Sequence, residues 1–116
     1  MKIVIFTNIL LLLISSLAGA ITRSFTIDFT HYDNSNVVKY NIVYSYVPDM
    51  SNAITSACVD LTSLDNFMYS VRCPDLELTT FPVYVQIEAE LTNGYVRSAY
   101  KEVKTPVNKV EGFTLN

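Results

Sequence analysis

Catalysis needs nucleophiles, bases or metal ligands that can converge on one point, and few residues of this chain are of those types. His31 is the one histidine in 116 residues. It stands in the polar run His31-Tyr32-Asp33-Asn34-Ser35-Asn36, where a solvated loop residue is expected rather than a general base. Glu88 and Glu90 alternate onto one strand face near Arg97, and Asp28 is placed similarly, so all three are expected as solvated carboxylates. Two cysteines and one distant histidine make a poor zinc set, and no glycine-rich phosphate loop is present. The expectation is a protein that is not an enzyme, with no cofactor and no metal. The remaining chemistry lies in Cys58 and Cys73. In an oxidising compartment two cysteines of one small domain most often pair. Closing a loop of about fifteen residues contributes about 3 kcal/mol in the chain-entropy account. A buried pair of free thiols and a bridge between chains are the competing arrangements.

The compartment follows from the first twenty residues. Lys2, an apolar run to Ile14 and the small residues Ala18-Gly19-Ala20 have the order of a secretory signal cleaved after Ala20. As a membrane anchor the run is short of the ~20 residues a span needs, and Asn8 interrupts it. The expectation is a secreted, extracellular protein with no membrane insertion after cleavage. Lys2 leaves with the signal, so the remainder carries seven basic and eleven acidic residues and a net charge of −4. That balance argues against nucleic acid and anionic membranes as partners, because both demand clustered Lys and Arg. No Asn-x-Ser/Thr sequon is present, so N-glycosylation is not expected.

The elements that must position these residues are strands. Val83, Val85, Ile87, Ala89 and Leu91 alternate with Tyr84, Gln86, Glu88 and Glu90, the period of a strand with one buried face. Asn93-Gly94 then offers the positive φ angles of a type I′ hairpin turn. A two-residue turn there sets Glu90 opposite Arg97 and Leu91 opposite Val96. The returning strand puts Val96, Ser98 and Tyr100 toward the core but leaves Glu102 there and Val103 outside, so a bulge is expected between Arg97 and Glu102. Upstream, Phe25, Ile27 and Phe29 alternate with polar residues over Ser24 to Thr30. Val38 to Val47 sets Tyr40, Ile42 and Tyr44 against Asn41, Val43 and Ser45. Ala53 to Leu61 and Phe67 to Cys73 are shorter strands, Pro74-Asp75 ends the second, and Leu76 to Pro82 reads as a connection. A helix over Val59 to Tyr69 has no capping pattern in its favour. Six or seven short strands make an all-β, two-sheet antiparallel sandwich, the expected fold of residues 21–106.

These strands resemble the fibronectin type III domain, an immunoglobulin-like sandwich. Ser24 to Asp33 runs like that family's second strand, with Phe29 in the place of its tryptophan. Tyr40-Asn-Ile42-Val-Tyr44 matches the Tyr-x-Val-x-Tyr of its third strand. Val83-Tyr-Val85-Gln-Ile87-Glu-Ala89, followed by Gly94 and Ser98, is similar to its sixth strand, and Val103-Lys-Thr-Pro106 to its close. Two departures stand out. Val83 replaces the tyrosine that usually locks the sixth-strand corner, and only Ile21 to Arg23 precede the second strand, so the first is missing. The missing strand would leave a sheet edge open to pairing, hence a possible homodimer. Residues 107–116 are read first as a frayed tail or linker, and alternatively as a cover for that edge or the start of a further module.

For function, the resemblance implies recognition by loops. The loop after the second strand and the turn after the sixth lie at one end in such sandwiches. Here that end would gather His31, Tyr32, Asp33, Asn34, Asn36, Asn93, Gly94, Tyr95 and Arg97, a mix of aromatic, amide and charged groups suited to a protein partner. The strand face with Tyr84, Gln86, Glu88 and Lys101 is a second candidate surface. The leading expectation is a secreted module that binds an extracellular or cell-surface protein. The alternatives are a secreted protease inhibitor, prompted by Arg72 beside the bridged Cys73, and a structural, self-associating module. No Arg-Gly-Asp tripeptide is present to support integrin binding.

Overall fold

The structure, a computed structural model, describes residues 21–116; the expected signal, residues 1–20, lies outside the described residues. Nine strands follow one another: β1 (Ile21–His31), β2 (Val37–Ser45), β3 (Ile54–Ala57), β4 (Val59–Ser63), β5 (Met68–Leu78), β6 (Val83–Leu91), β7 (Gly94–Arg97), β8 (Lys101–Val103) and β9 (Lys109–Leu115). They form two sheets, one ordered β4-β5-β1-β9 and the other β3-β2-β6-β7, with β8 extending the second along β6. There is no helix among the described residues. The expected all-β two-sheet sandwich is the observed architecture.

Alternation builds the core. Phe25, Ile27 and Phe29 of β1 meet Tyr40, Ile42 and Tyr44 of β2 and Val83, Val85, Ile87 and Ala89 of β6 in one buried cluster. Each fully buried large apolar side chain there contributes about 1.5–3 kcal/mol relative to exposure. His31 continues the same phase and is 1% exposed, which overturns the expectation of a solvated loop residue. It is the last residue of β1, and two-residue periodicity carries it inward after Phe29.

The strand read as ending at Pro74-Asp75 runs on. The β1–β5 register gains one residue on β5 between the pairs Phe25↔Cys73 and Arg23↔Leu76, and Asp75 there has φ 59°. This bulge accommodates a proline that a regular central ladder would reject. Leu76 and Leu78, read as part of a connection, are therefore buried core residues.

The hairpin expected around Asn93-Gly94 is present, but its register differs by two. Leu91 pairs with Gly94 and Glu88 with Arg97, so the turn residues are Thr92-Asn93. Gly94, with φ 153°, opens β7 in a positive-φ conformation that favours glycine. A slip of two keeps every side chain on its face, which is why the alternation could not choose between the two registers. The expected bulge lies at residues 98–100: β8 resumes with Val103 opposite Val83, one residue out of step with β7, and Val103 turns inward.

The chain passes from one sheet to the other at Cys58. Its backbone N–H donates to Tyr40 O at 3.0 Å, extending the β2–β3 ladder, while Val59 pairs with Arg72 across the sandwich. The bridge Cys58–Cys73, with Cα atoms 4.2 Å apart, joins this crossing point to the core strand β5.

Residues 107–116 are not frayed. β9 lies parallel to β1, from Thr26↔Lys109 to His31↔Leu115, and buries Val110, Phe113 and Leu115. It covers the edge of β1 opposite β5, the alternative expected for this segment. A slip between the pairs Ile27↔Val110 and Phe29↔Phe113 absorbs the extra residue of Glu111-Gly112, where Gly112 has φ 88°. A Cβ on Gly112 would lie 2.8 Å from Lys101 Nζ, so the lysine of β8 spans the gap between the sheets at this position.

Candidate functional site

Three turns share the end of the sandwich at which β1 finishes. Residues 32–36 join β1 to β2, residues 64–67 join β4 to β5, and residues 92–93 join β6 to β7. Thr92 N–H donates to Asn36 O at 3.1 Å, and His31 N–H donates to Phe67 O at 2.9 Å, so the three are tied together through backbone. Backbone ties of this kind hold loops at fixed separations, which recognition by loops requires.

The 32–36 loop is shaped by its short polar side chains. Asp33 Oδ1 accepts from Ser35 Oγ at 2.5 Å and from Ser35 N–H at 3.2 Å, an Asx turn. The Ser35 hydroxyl, then its backbone N–H, hold the Asp33 carboxyl below its ordinary range. Asn36 adopts φ 66°, a conformation asparagine tolerates. Asn34 Nδ2 donates to Tyr69 Oη at 2.6 Å, fastening the loop to β5.

Beneath the loops, the His31 imidazole is 2.9 Å from Tyr40 Oη through Nδ1, and its ring meets the Tyr40 ring edge-on at 5.8 Å. Burial pushes its pKa down, partly opposed by the Asp33 carboxylate. Burial likewise pushes Tyr40 up to about 12. His31 therefore supports the loops from within, and the surface belongs to its neighbours.

Tyr32 is 61% exposed and Tyr95 62%. The structure adds a residue the sequence reading did not place here: Phe67, 58% exposed, with its ring 5.7 Å from that of Tyr32. Phe67 was expected only as the first residue of the strand Phe67 to Cys73, because which loop its ring would meet depends on packing across the sheet. Asp33, Asn34, Asn36, Asn93 and Gly94 are exposed around the same end. Tyr95 and Arg97 lie a step away on the outer face of β7, where the guanidinium stands 4.6 Å above the Tyr95 ring. Arg97 Nε also donates to Glu88 Oε2 at 2.8 Å, and Asn41 Nδ2 donates to Glu88 Oε1 at 2.8 Å. Glu88, expected as a solvated carboxylate, is 5% exposed and held between these two donors.

Asp28 also departs from the solvated reading. It is buried, with Oδ2 3.0 Å from Lys109 Nζ. Burial works against its charge, yet Ser70 and Lys109 outweigh it and hold the carboxyl below its ordinary range. Ser70, directly opposite on β5, is near enough to steady the charge but leaves Oδ1 without a well-aligned hydrogen bond. The ion pair couples the covering strand β9 to β1.

The second expected surface is engaged within its own sheet. Tyr84 Oη donates to Glu102 Oε2 at 3.1 Å and Gln86 Nε2 donates to Ser98 O at 3.0 Å. Arg72 sits mid-strand, paired with Thr26 on one side and Val59 on the other, and its Nε bonds Asp60 Oδ2 at 2.9 Å. It offers no projecting loop. Among the described residues no cluster of three or more His, Cys, Asp or Glu is placed to hold a metal ion, and no helix is long and apolar enough to cross a membrane.

Fold and site together define a disulfide-bridged all-β sandwich with aromatic loops at one end, compatible with an immunoglobulin-like or fibronectin type III-like domain. No protein-family model, curated protein or solved structure matches the chain.

Proposed function

We propose that this chain is a fibronectin type III-like module, secreted by way of its N-terminal signal, that binds an extracellular or cell-surface protein through the loops at one end of the sandwich. The observation that carries this reading is the convergence of the 32–36, 64–67 and 92–93 turns, tied through backbone, under the exposed rings of Tyr32 and Phe67. Rigid aromatic side chains offer large contact area at small entropic cost, and loops on a fixed scaffold are where binding residues concentrate. The bridge Cys58–Cys73 and the absence of a membrane-spanning helix among the described residues are compatible with secretion.

The test is affinity capture on intact cells with the tagged mature chain, crosslinking and mass spectrometry, followed by binding measurements on the partner obtained. Tyr32→Ala combined with Tyr95→Ala is expected to weaken binding at least tenfold. Unchanged binding in that variant would place recognition elsewhere on the molecule.

A further inference from the structure

The β4–β5 turn carries a residue its geometry disfavours. Met68 N–H donates to Asp65 O at 3.1 Å, and the central residues Asn66 and Phe67 have φ 54° and 64°. Positive φ at both central positions, closed by that bond, defines a type I′ turn, whose second central position strongly favours glycine. A bulky side chain there is an outlier and carries strain. Phe67 gains little from the fold in return, because its ring points out and meets only the exposed ring of Tyr32 among the aromatic contacts of the described residues. Leu64 and Met68, on either side, are also exposed. Strain held in a side chain that the core does not use is a feature to explain by function.

Charge around this tip has one sign. The loop Tyr32-Asp33-Asn34-Ser35-Asn36 and the turn Leu64-Asp65-Asn66-Phe67 carry two carboxylates and no Lys or Arg. The Ser35 hydroxyl, bonded to Asp33 Oδ1, holds that carboxyl below its ordinary range. An anionic membrane would be repelled by this rim. A surface rich in Lys and Arg around an apolar recess would be attracted, and the wedge of Phe67 and Tyr32 would fill that recess.

We propose that Phe67, with Tyr32, is the anchor of the binding end, and that the partner is a protein presenting an apolar pocket with a basic rim. This rests on the loop-end reading given above and narrows it to a partner chemistry. Asp33 and Asp65 steer that partner and fix its orientation, and Phe67 supplies most of the affinity.

The probe is a phage-displayed library of random cyclic peptides panned on the intact, disulfide-bonded chain. The recovered peptides are expected to carry Lys or Arg beside aromatic or aliphatic residues. Phe67→Ser should weaken them tenfold or more. Asp33→Asn with Asp65→Asn should weaken them about threefold at low salt, and that difference should vanish near 0.5 M salt as screening takes over. Tyr84→Ser, on the sheet face, should leave them unchanged. Phe67→Gly separates recognition from folding: glycine suits the turn, so Tm should hold or rise by up to about 4 °C while the peptides are lost. Peptides without excess positive charge that still require Phe67 would overturn the basic partner and leave the loop-end reading standing. Peptides lost only with Tyr84→Ser, or a library yielding nothing sensitive to Phe67, would overturn both. Flotation with phosphatidylserine–phosphatidylcholine vesicles should show no binding, and Phe67-dependent flotation would overturn the proposal in favour of a membrane. A fall in Tm of more than about 8 °C in Phe67→Gly would show that the ring serves the fold.

Discussion

The two ends of the sandwich are made of different turn residues. At the end where β1 finishes, none of the three turns contains proline, and each contains asparagine: Asn34 and Asn36, Asn66, and Asn93. At the opposite end, the connections 46–53, 79–82 and 104–108 each contain a proline, Pro48, Pro82 and Pro106. Positive φ occurs at both, with Met50 and Asn52 at the proline end, so backbone strain alone does not separate them. The aromatic side chains do. Tyr46 and Phe81 at the proline end pack against the core, and Tyr46 Oη accepts from Thr79 N–H at 3.1 Å, whereas Tyr32 and Phe67 at the asparagine end stand in solvent. Proline limits the freedom of the unfolded chain and so favours folding. One end is thus spent on holding the sheets together and the other on presenting side chains, and substitutions at the two should separate stability from binding.

The sharpest form of this comparison lies in β9, which the proline-containing linker 104–108 delivers to the edge of β1. Phe113→Ala removes a buried ring and is expected to cost about 3–5 kcal/mol, measured by urea unfolding of the disulfide-bonded chain. A cost under about 1 kcal/mol would mean that β9 lies outside the cooperative unit. Replacing both cysteines with alanine is expected to cost about 3 kcal/mol by the same measurement, because the crossing from β3 to β4 would lose its tie to β5. Neither Phe113 nor the bridge belongs to the three turns of the asparagine end, so peptide binding there should survive wherever the variants remain folded.

What could be read from residue order divides along similar lines. The alternation of β1, β2 and β6, the two-sheet architecture and the bulge that brings Val103 inward are all local consequences of which side chains face water. The placing of β9 was legible only as an alternative to a frayed tail, because Val110, Phe113 and Leu115 lose their alternation at Glu111-Gly112 and only the edge of β1 supplies a reason for the pattern. His31 was in phase with Phe25, Ile27 and Phe29, but the turn residues after it argued for solvent. At the asparagine end, Tyr32 and the asparagines announced a loop. Phe67 did not, since its part depends on a turn conformation and a neighbouring loop that spacing along the chain does not encode.

The buried His31 gives the asparagine end a pH dependence. Burial lowers its folded-state pKa, so the unfolded chain takes up a proton near the ordinary value of about 6.5 while the folded chain resists it. Stability from this group is complete above that pH and declines as pH falls below it, until the folded-state value is passed. Tm measured between pH 7.5 and 5 should therefore fall, and His31→Leu should flatten the slope. Asp28, whose folded pKa is also lowered, adds its loss as pH falls through the ordinary carboxylate range and below it, so the two contributions separate on the pH axis. A wild-type Tm that does not change over that interval would show that the imidazole is free to ionise in the fold.

The smallest effects expected are the ones that decide whether the two ends differ in kind. Pro106→Ala should cost about 0.4–1 kcal/mol, because its contribution acts by restricting the unfolded linker. Tyr32→Ala should change stability by no more than about 0.5 kcal/mol, since the ring is exposed and its aromatic partner Phe67 is exposed as well. Both are measured by urea unfolding with the bridge intact, and the order matters more than the values. If Tyr32→Ala costs more than Pro106→Ala, the exposed ring is bracing the 32–36 loop against β4–β5, and the asparagine end is a structural cap. If the order holds and the same Tyr32 variant loses its partner, then the side chain that the fold can best spare is one that recognition cannot.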